Sequence, residues 1–342
     1  MGVSAVSAAV VDAVVAFAEH HRVPLMVLAS RNQVEYDDLG GGYSVFAPDA
    51  LVRHVNQATK LVAVCRDHGG PYFSDMDEAL PVEAAAERAR ETLRRDVAAG
   101  FDLIHVDWSR GTGDVVDETL AVIAELRPLS NGRLRFEVGT DETDGGVDDA
   151  ALFEADVSRF SDGAAEIEFV VGRTGSLVRE RFQVGYFSFT DVCRLTSVAH
   201  RFGFRFKEHN VDYSSTSELR LRVPAGVDAI NIGPELGVLE TSAVASAAAL
   251  YGLNDELDAF FACCIDSGKW RKWRYSAEPP ARTKAVVAGH YCQSSSEFQV
   301  LLGRLRERLD IDAAVRDELT ARIGNYVAYL DAVGEDIVGV GW

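Results

Sequence analysis

At 342 residues, 47% hydrophobic and 25% charged, the chain carries enough apolar material for one large domain, or one domain with an appendage. A formal charge of −19 argues against nucleic acid or an anionic membrane as the main partner, so any phosphate site must be local. No run approaches the ~20 apolar residues of a membrane span, no leader pattern opens the chain, and the five scattered cysteines include no CxxC pair, which together suit a reducing, cytoplasmic location.

Gly2–Val6 is a short apolar piece. Ser7–Glu19 follows with Val10, Val11, Val14, Val15 and Phe17 at helical spacing, and Val23–Ser30 is the second strand. That strand opens into Arg31–Glu35 and the run Gly40-Gly41-Gly42, a long loop of the kind that lines sites. Ala47-Pro48-Asp49 starts a helix with Leu51, Val52, Val55 and Ala58 on one face. Leu61–Tyr72 (LVAVCRDHGGPY) reads as a buried strand that delivers Asp67 and His68 into a glycine turn. Helix Val82–Ala99, stopped by Gly100, leads to strand Asp102–Asp107 (DLIHVD), where His105 and Asp107 share one side by alternation. Leu120–Leu126 is helical, Arg133–Gly139 is a strand carrying Glu137, and Thr140–Asp149 is an acid-rich, mostly solvated loop. Strand six, Ala165–Val171, ends in Gly172-Arg173-Thr174-Gly175. Ser176–Tyr186 shows no clear pattern, Phe189–His200 is helical, and Arg201–His209 is strand seven. Asp228–Ile232 is strand eight, running into Gly233-Pro234-Glu235. From Thr241 the pattern is helical, to about Leu250, then through Cys264, then Glu297–Leu309 and Asp312–Val333. Lys269–Arg274 (KWRKWR) is read as a packed, snorkelled surface in preference to an anion-binding or base-stacking patch.

Eight strands alternating with helices over about 240 residues match a (β/α)8 TIM barrel. Residues 1–245 are assigned to that barrel and 246–342 to a helical C-terminal extension packed on it. The C-terminal strand ends of such a barrel converge on one mouth, so acids and histidines far apart in sequence meet there. His68, Glu137 and His209, from strands three, five and seven, form a two-histidine, one-carboxylate set that suits zinc or another divalent first-row ion with positions open to substrate. Asp67 and Asp107 are candidates for the general acid/base or for the carboxylate behind a histidine. His20, His21, His54, His200 and His290 are assigned structural roles.

The ordered stretches Asn32-Gln33-Val34 with Gly41-Gly42-Tyr43, Asp67-His68-Gly69-Gly70-Pro71, Ala99-Gly100-Phe101 through Ile104-His105-Val106-Asp107, Glu137-Val138-Gly139-Thr140, Glu208-His209 with Asp212-Tyr213, and Gly233-Pro234 carry a family resemblance. Together they resemble class II metal-dependent ketose-bisphosphate aldolases, and more closely the family named for the non-catalytic subunit of D-tagatose-1,6-bisphosphate aldolase. The resemblance spans about residues 1–245, and Lys269–Tyr275 is similar to that family's C-terminal region. It implies zinc ligands at His68 and His209, a third ligand or second-metal carboxylate at Glu137, a proton-shuttling Asp67, and a substrate contact at Asn32. It also implies that Ser214, Ser215, Asn231 and Gly233 lie near the substrate's phosphate, where barrel geometry independently expects one. The departure is at strand six. Catalytic aldolases carry a further metal-binding histidine there, which this chain replaces with Gly172-Arg173-Thr174-Gly175, as the relatives named non-catalytic also lack it; Arg173 becomes a candidate contact for a substrate anion. Arg66, Trp108 and Asn210 differ from those relatives too, which implies a reshaped pocket. The implied function is a metal-dependent carbon–carbon lyase acting on a phosphorylated ketose of the tagatose- or fructose-bisphosphate type. The alternative is a non-catalytic barrel that stabilises or activates a partner class II aldolase. The expected associations are a homo-oligomer or such an aldolase chain.

Overall fold

The computed structural model describes residues 1–130, 132–139, 145–163 and 165–331. Residues 140–144 of the acid-rich loop, and residues 332–342 of the expected C-terminal extension, lie outside the described residues.

Eight parallel strands close into a barrel: β1 Gly2–Ser4, β2 Leu25–Ser30, β3 Val62–Asp67, β4 Leu103–Val106, β5 Arg135–Gly139, β6 Ile167–Val171, β7 Arg205–Glu208 and β8 Ala229–Ile232. Each strand pairs with its sequence neighbour, and closure is made by β1 against β8, with Gly2 opposite Asn231. This is the (β/α)8 architecture expected above. Period-two alternation sorts the strand side chains into two cores. Met26, Leu28, Ala63, Cys65, Leu103, Phe169 and Ala229 fill the barrel interior, while a larger apolar cluster lies between the barrel and its helices. One interior position further toward the C-terminal end, the filling turns polar: Asp67 follows Cys65, His105 follows Leu103 and Asn231 follows Ala229. Strand pairing sets His105 beside Glu137, and Lys207 beside Ala229. A dry floor therefore supports a polar mouth.

The barrel helices are α1 Ala8–His21, α2 Pro48–Ala58, α3 Val82–Ala99, α4 Val115–Leu126, α5 Ala150–Gly163, α6 Phe189–Arg201, α7 Thr216–Arg222 and α8 Glu235–Leu250. Beyond them come α9 Asn254–Asp266, α10 Ala281–Ala288, α11 Ser296–Arg306 and α12 Ile311–Asp331, with α12 packed along α1 and α8. Helix starts are marked by local chemistry: Ser7 Oγ accepts the Val10 N–H at 3.0 Å, and Asp114 accepts those of Val116 and Asp117, both at 3.0 Å.

Four features depart from the sequence expectation. Helix α5 fills the stretch between the acid-rich loop and strand six that was left unassigned from sequence; Phe153, Val157 and Phe160 form its buried stripe, and Asp149 Oδ1 accepts the N–H groups of Ala151 and Leu152. Helix α6 continues through Arg201, so β7 begins only at Arg205, after a turn at Gly203 with φ 84°. The segment Ser176–Tyr186 holds a hairpin, Val178–Arg179 against Phe182–Gln183. Helix α8 starts at Glu235 rather than near Thr241 and runs through residue 245, the expected domain boundary. Among the described residues no helix is long and apolar enough to cross a membrane.

Candidate metal centre

His68 follows β3 directly and takes a left-handed backbone, φ 46°, which an L residue adopts only where its surroundings fix it. The surroundings are specific. The Gly69 N–H donates to the His105 carbonyl at 2.9 Å, and a Cβ at Gly70 would lie 1.5 Å from the Asp107 carbonyl oxygen, so only glycine lets this turn lie against the end of β4. From the β2 side, buried Arg31 donates to the Gly70 carbonyl at 3.1 Å and to Asp77 Oδ2 at 2.6 Å; that oxygen also accepts the Tyr72 N–H at 3.1 Å. A buried charge pair thus holds the loop that carries His68.

Three imidazoles face one another at the mouth. Ring centroids are 4.8 Å apart for His68 and His105, 5.3 Å for His68 and His209, and 5.4 Å for His105 and His209. Each ring has one nitrogen on an acceptor: His68 Nδ1 on Asp107 Oδ2 at 2.8 Å, His105 Nε2 on the Gly139 carbonyl at 2.9 Å, and His209 Nε2 on Glu137 Oε1 at 2.7 Å. A carbonyl or carboxylate oxygen can only accept, so those nitrogens carry the hydrogen. In the neutral rings the lone pairs are therefore on His68 Nε2, His105 Nδ1 and His209 Nδ1, and that of His105 accepts the His68 N–H at 3.4 Å. This is the tautomer arrangement of metal-ligating histidines, each oriented by an oxygen behind it. One ligand atom from each of Asp67, His68, His105 and His209 lies within 4.8 Å of the other three.

Electrostatics reinforces the arrangement. Burial pushes the His105 imidazole down, toward the neutral form a ligand needs. Burial pushes Asp107 up, but the hydrogen bond and charge of His68 outweigh it and hold the carboxyl below its usual range; Ser109 adds its N–H at 3.0 Å and Oγ–H at 2.6 Å. Glu137 behaves alike. Burial raises it, while Lys207, His105 and His209 together hold it well below the usual carboxylate range.

The expected site residues sort into three sets. Asp67, His68 and His209 come together in the four-residue group. Asp107 and Glu137 stand one hydrogen bond behind it, Glu137 Oε2 being also 2.6 Å from Lys207 Nζ. The rest lie around the rim. Asn32 is reciprocally bonded to Asp75, Nδ2 to Oδ1 at 2.9 Å and the Asp75 N–H to its Oδ1 at 2.8 Å. Arg173 Nε is 2.7 Å from Asp148 Oδ1, and the residue lines a small cleft with Gly172, Thr174, Ser176, Asn210 and His209. Ser215 caps α7, the Gly233 N–H donates to Asp212 Oδ2 at 2.9 Å, and Ser214 and Asn231 are buried. Two residues went unassigned in the sequence reading: His105, whose shared face with Asp107 was the available signal, and Lys207, buried on the interior of β7.

The span that holds β1 to β4, and with them Asp67, His68, His105 and Asp107, has recognisable relatives. Residues 1–126 match the family described as D-tagatose-1,6-bisphosphate aldolase subunit GatZ/KbaZ-like. Glu137, Arg173 and His209 lie beyond the matched span. Among solved structures, a probable tagatose 6 phosphate kinase from Sinorhizobium meliloti 1021 is similar at 19% identity over 97% of both chains, with a TM-score of 0.72. The fructuronate-tagaturonate epimerase UxaE from Cohnella laeviribosi is similar at 12% identity over 96% of this chain and 81% of its own, TM-score 0.67. The fructose-bisphosphate aldolase from Campylobacter jejuni is similar at 13% identity over 95% and 89%, TM-score 0.55. At these identities the shared property is the fold.

Proposed function

We propose that the barrel mouth binds one divalent cation, zinc in the first instance, and performs aldol-type carbon–carbon cleavage on a phosphorylated ketose. The observation that carries this reading is the gathering of three imidazoles and Asp67 in one four-residue group, each ring having one nitrogen turned to an oxygen behind it. Three nitrogen donors leave a position for substrate, as catalytic sites require, and His105 takes the part that the missing strand-six histidine plays in the resemblance. Glu137 then acts as the orienting carboxylate of His209. When bound, the ion stabilises negative charge that develops on a ketose carbonyl oxygen. The chain's own residues do the rest. Asp67, half-buried at the end of β3, takes the proton from the hydroxyl next to the bond that breaks and returns one to the enediolate carbon. Asp107 fixes the ring plane and tautomer of His68. Arg173, on the cleft beside His209, contacts the substrate's anionic group, and Asn231 contacts the sugar from the barrel interior.

A second reading has its own support. The family matched by residues 1–126 is described as an aldolase subunit, which fits a barrel that stabilises or activates a catalytic partner. The test is purified chain, each metal in turn, with ketose phosphates and release of triose phosphate followed directly. The proposal expects turnover without a second protein, and a loss of at least 100-fold in kcat for Asp67→Asn. Activity that appears only on adding a second aldolase chain, and that Asp67→Asn leaves unchanged, favours the subunit reading.

A further inference from the structure

The loops after β7 and β8 are where barrels of this class take phosphate, because backbone N–H groups at the start of a helix point outward there. Here those groups already have a carboxyl acceptor, one that burial and the neighbouring Glu235 push up to about 7. Asp212 Oδ2 accepts the Gly233 N–H at 2.9 Å and Oδ1 accepts the Glu235 N–H at 2.8 Å, at the first residue of α8. Asp212 is fully buried, and its loop is fastened on both sides. The Val211 N–H donates to the Asn231 carbonyl at 3.1 Å, while Gln183 Nε2 donates to the carbonyls of Asn210 at 2.8 Å and Asp212 at 3.2 Å. A second carboxylate stands directly behind. Glu235 accepts from the Tyr213 N–H at 2.7 Å, and from Tyr326 Oη and Arg322 Nε of α12, each at 2.5 Å. Arg322 is thus already matched to Glu235. Ser215 is committed as well, its N–H and hydroxyl both given to Glu218 in a capping box.

We infer that Asp212 is a specificity residue that excludes phosphate from the β7/β8 rim, so that the ketose carries an uncharged, hydroxyl-bearing end there and the substrate is a monophosphate rather than a bisphosphate. This rests on the sugar reading above and narrows it. A phosphate placed at Gly233 and Glu235 would have to displace both Asp212 oxygens from the N–H groups they hold and then sit beside the Glu235 carboxyl as well. A hydroxyl meets no such conflict. It also suits the neighbouring polar groups: both amide atoms of Asn231 and the hydroxyl of Ser214 are buried without a hydrogen-bond partner, and a sugar hydroxyl donates to Oδ1 as readily as it accepts from Nδ2, whereas a phosphate dianion only accepts.

The experiment is calorimetric titration of metal-loaded wild type and Asp212→Ser with inorganic phosphate, D-fructose 1,6-bisphosphate, D-fructose 1-phosphate and D-fructose 6-phosphate. A crystal soak with phosphate locates any anion independently of the variant. Wild type is expected to bind one of the monophosphates at least tenfold more tightly than the bisphosphate and to show no anion at the Gly233 and Glu235 N–H groups. Asp212→Ser is expected to narrow that ratio to below twofold. A bisphosphate preference in wild type, or phosphate seated on those two N–H groups, overturns the exclusion while leaving the sugar reading intact. If no ketose binds wild type, the proposed function falls and the exclusion with it.

Discussion

The chemistry of the mouth is decided by which nitrogen of each imidazole carries hydrogen. His68, His105 and His209 are each pinned by an oxygen, two of them by carboxylates held in the ionised state against burial, Asp107 by the His68 ring and Glu137 by Lys207 together with the His105 and His209 rings. That mutual dependence makes Asp107 the more instructive target, since unlike Glu137 it has no buried lysine to strand when altered. Asp107→Asn keeps an oxygen for the His68 Nδ1–H but removes the charge. Metal affinity, read by chelator competition, is expected to weaken roughly 10- to 100-fold with the fold intact; an affinity unchanged within twofold would make Asp107 a bystander. His68 and His209 were legible from position, each following an apolar strand in a glycine or polar turn. His105 was not, because a histidine inside the strand DLIHVD looks the same whether it packs against a neighbour or ligates. Only pairing with β5, which puts Glu137 and the Gly139 carbonyl beside it, separates the two.

At the scale of elements, helix starts explain both a success and an error. The barrel strands were readable because each is an apolar run with a chemical stop at its end. Helix α7 was not read, although Ser215 and Glu218 spell a capping box three residues apart; the serines were instead given to phosphate. The two roles differ measurably. Ser215→Ala is expected to cost about 1 kcal/mol in denaturant unfolding and to leave ketose affinity unchanged. Unchanged stability with weakened ketose binding would return Ser215 to the substrate. Helix α5 was missed for another reason. Its apolar stripe of Phe153, Val157 and Phe160 is only three residues wide and begins directly after a run of acids, so composition masked the period.

Across the whole molecule, the C-terminal elements tie the mouth together from outside. Arg322 and Tyr326 of α12 hold Glu235 behind the β8 rim, and Lys269 pairs with Asp75 at 2.5 Å near the loop after β3. On the opposite rim the Glu180 N–H donates to the Trp273 carbonyl at 2.5 Å, while Glu180 Oε1 accepts the Tyr275 N–H at 3.2 Å. Trp270 is buried and Trp273 Nε1 donates to Tyr291 Oη at 3.0 Å, so the aromatic residues of the hexad are packed, in line with the packed surface preferred from sequence. The ties made by Glu235, Lys269 and Glu180 are not visible in a linear sequence, because each joins residues 87 or more positions apart through surfaces that only the closed barrel creates. The barrel itself follows from local pattern. The central claim is that this closure assembles a cation site from His68, His105 and His209, and crystals grown with zinc test it by anomalous scattering recorded on both sides of the metal edge. The account predicts one strong peak among the three imidazoles, lost in His105→Ala; a peak elsewhere, or no peak at the mouth at full zinc loading, would contradict it.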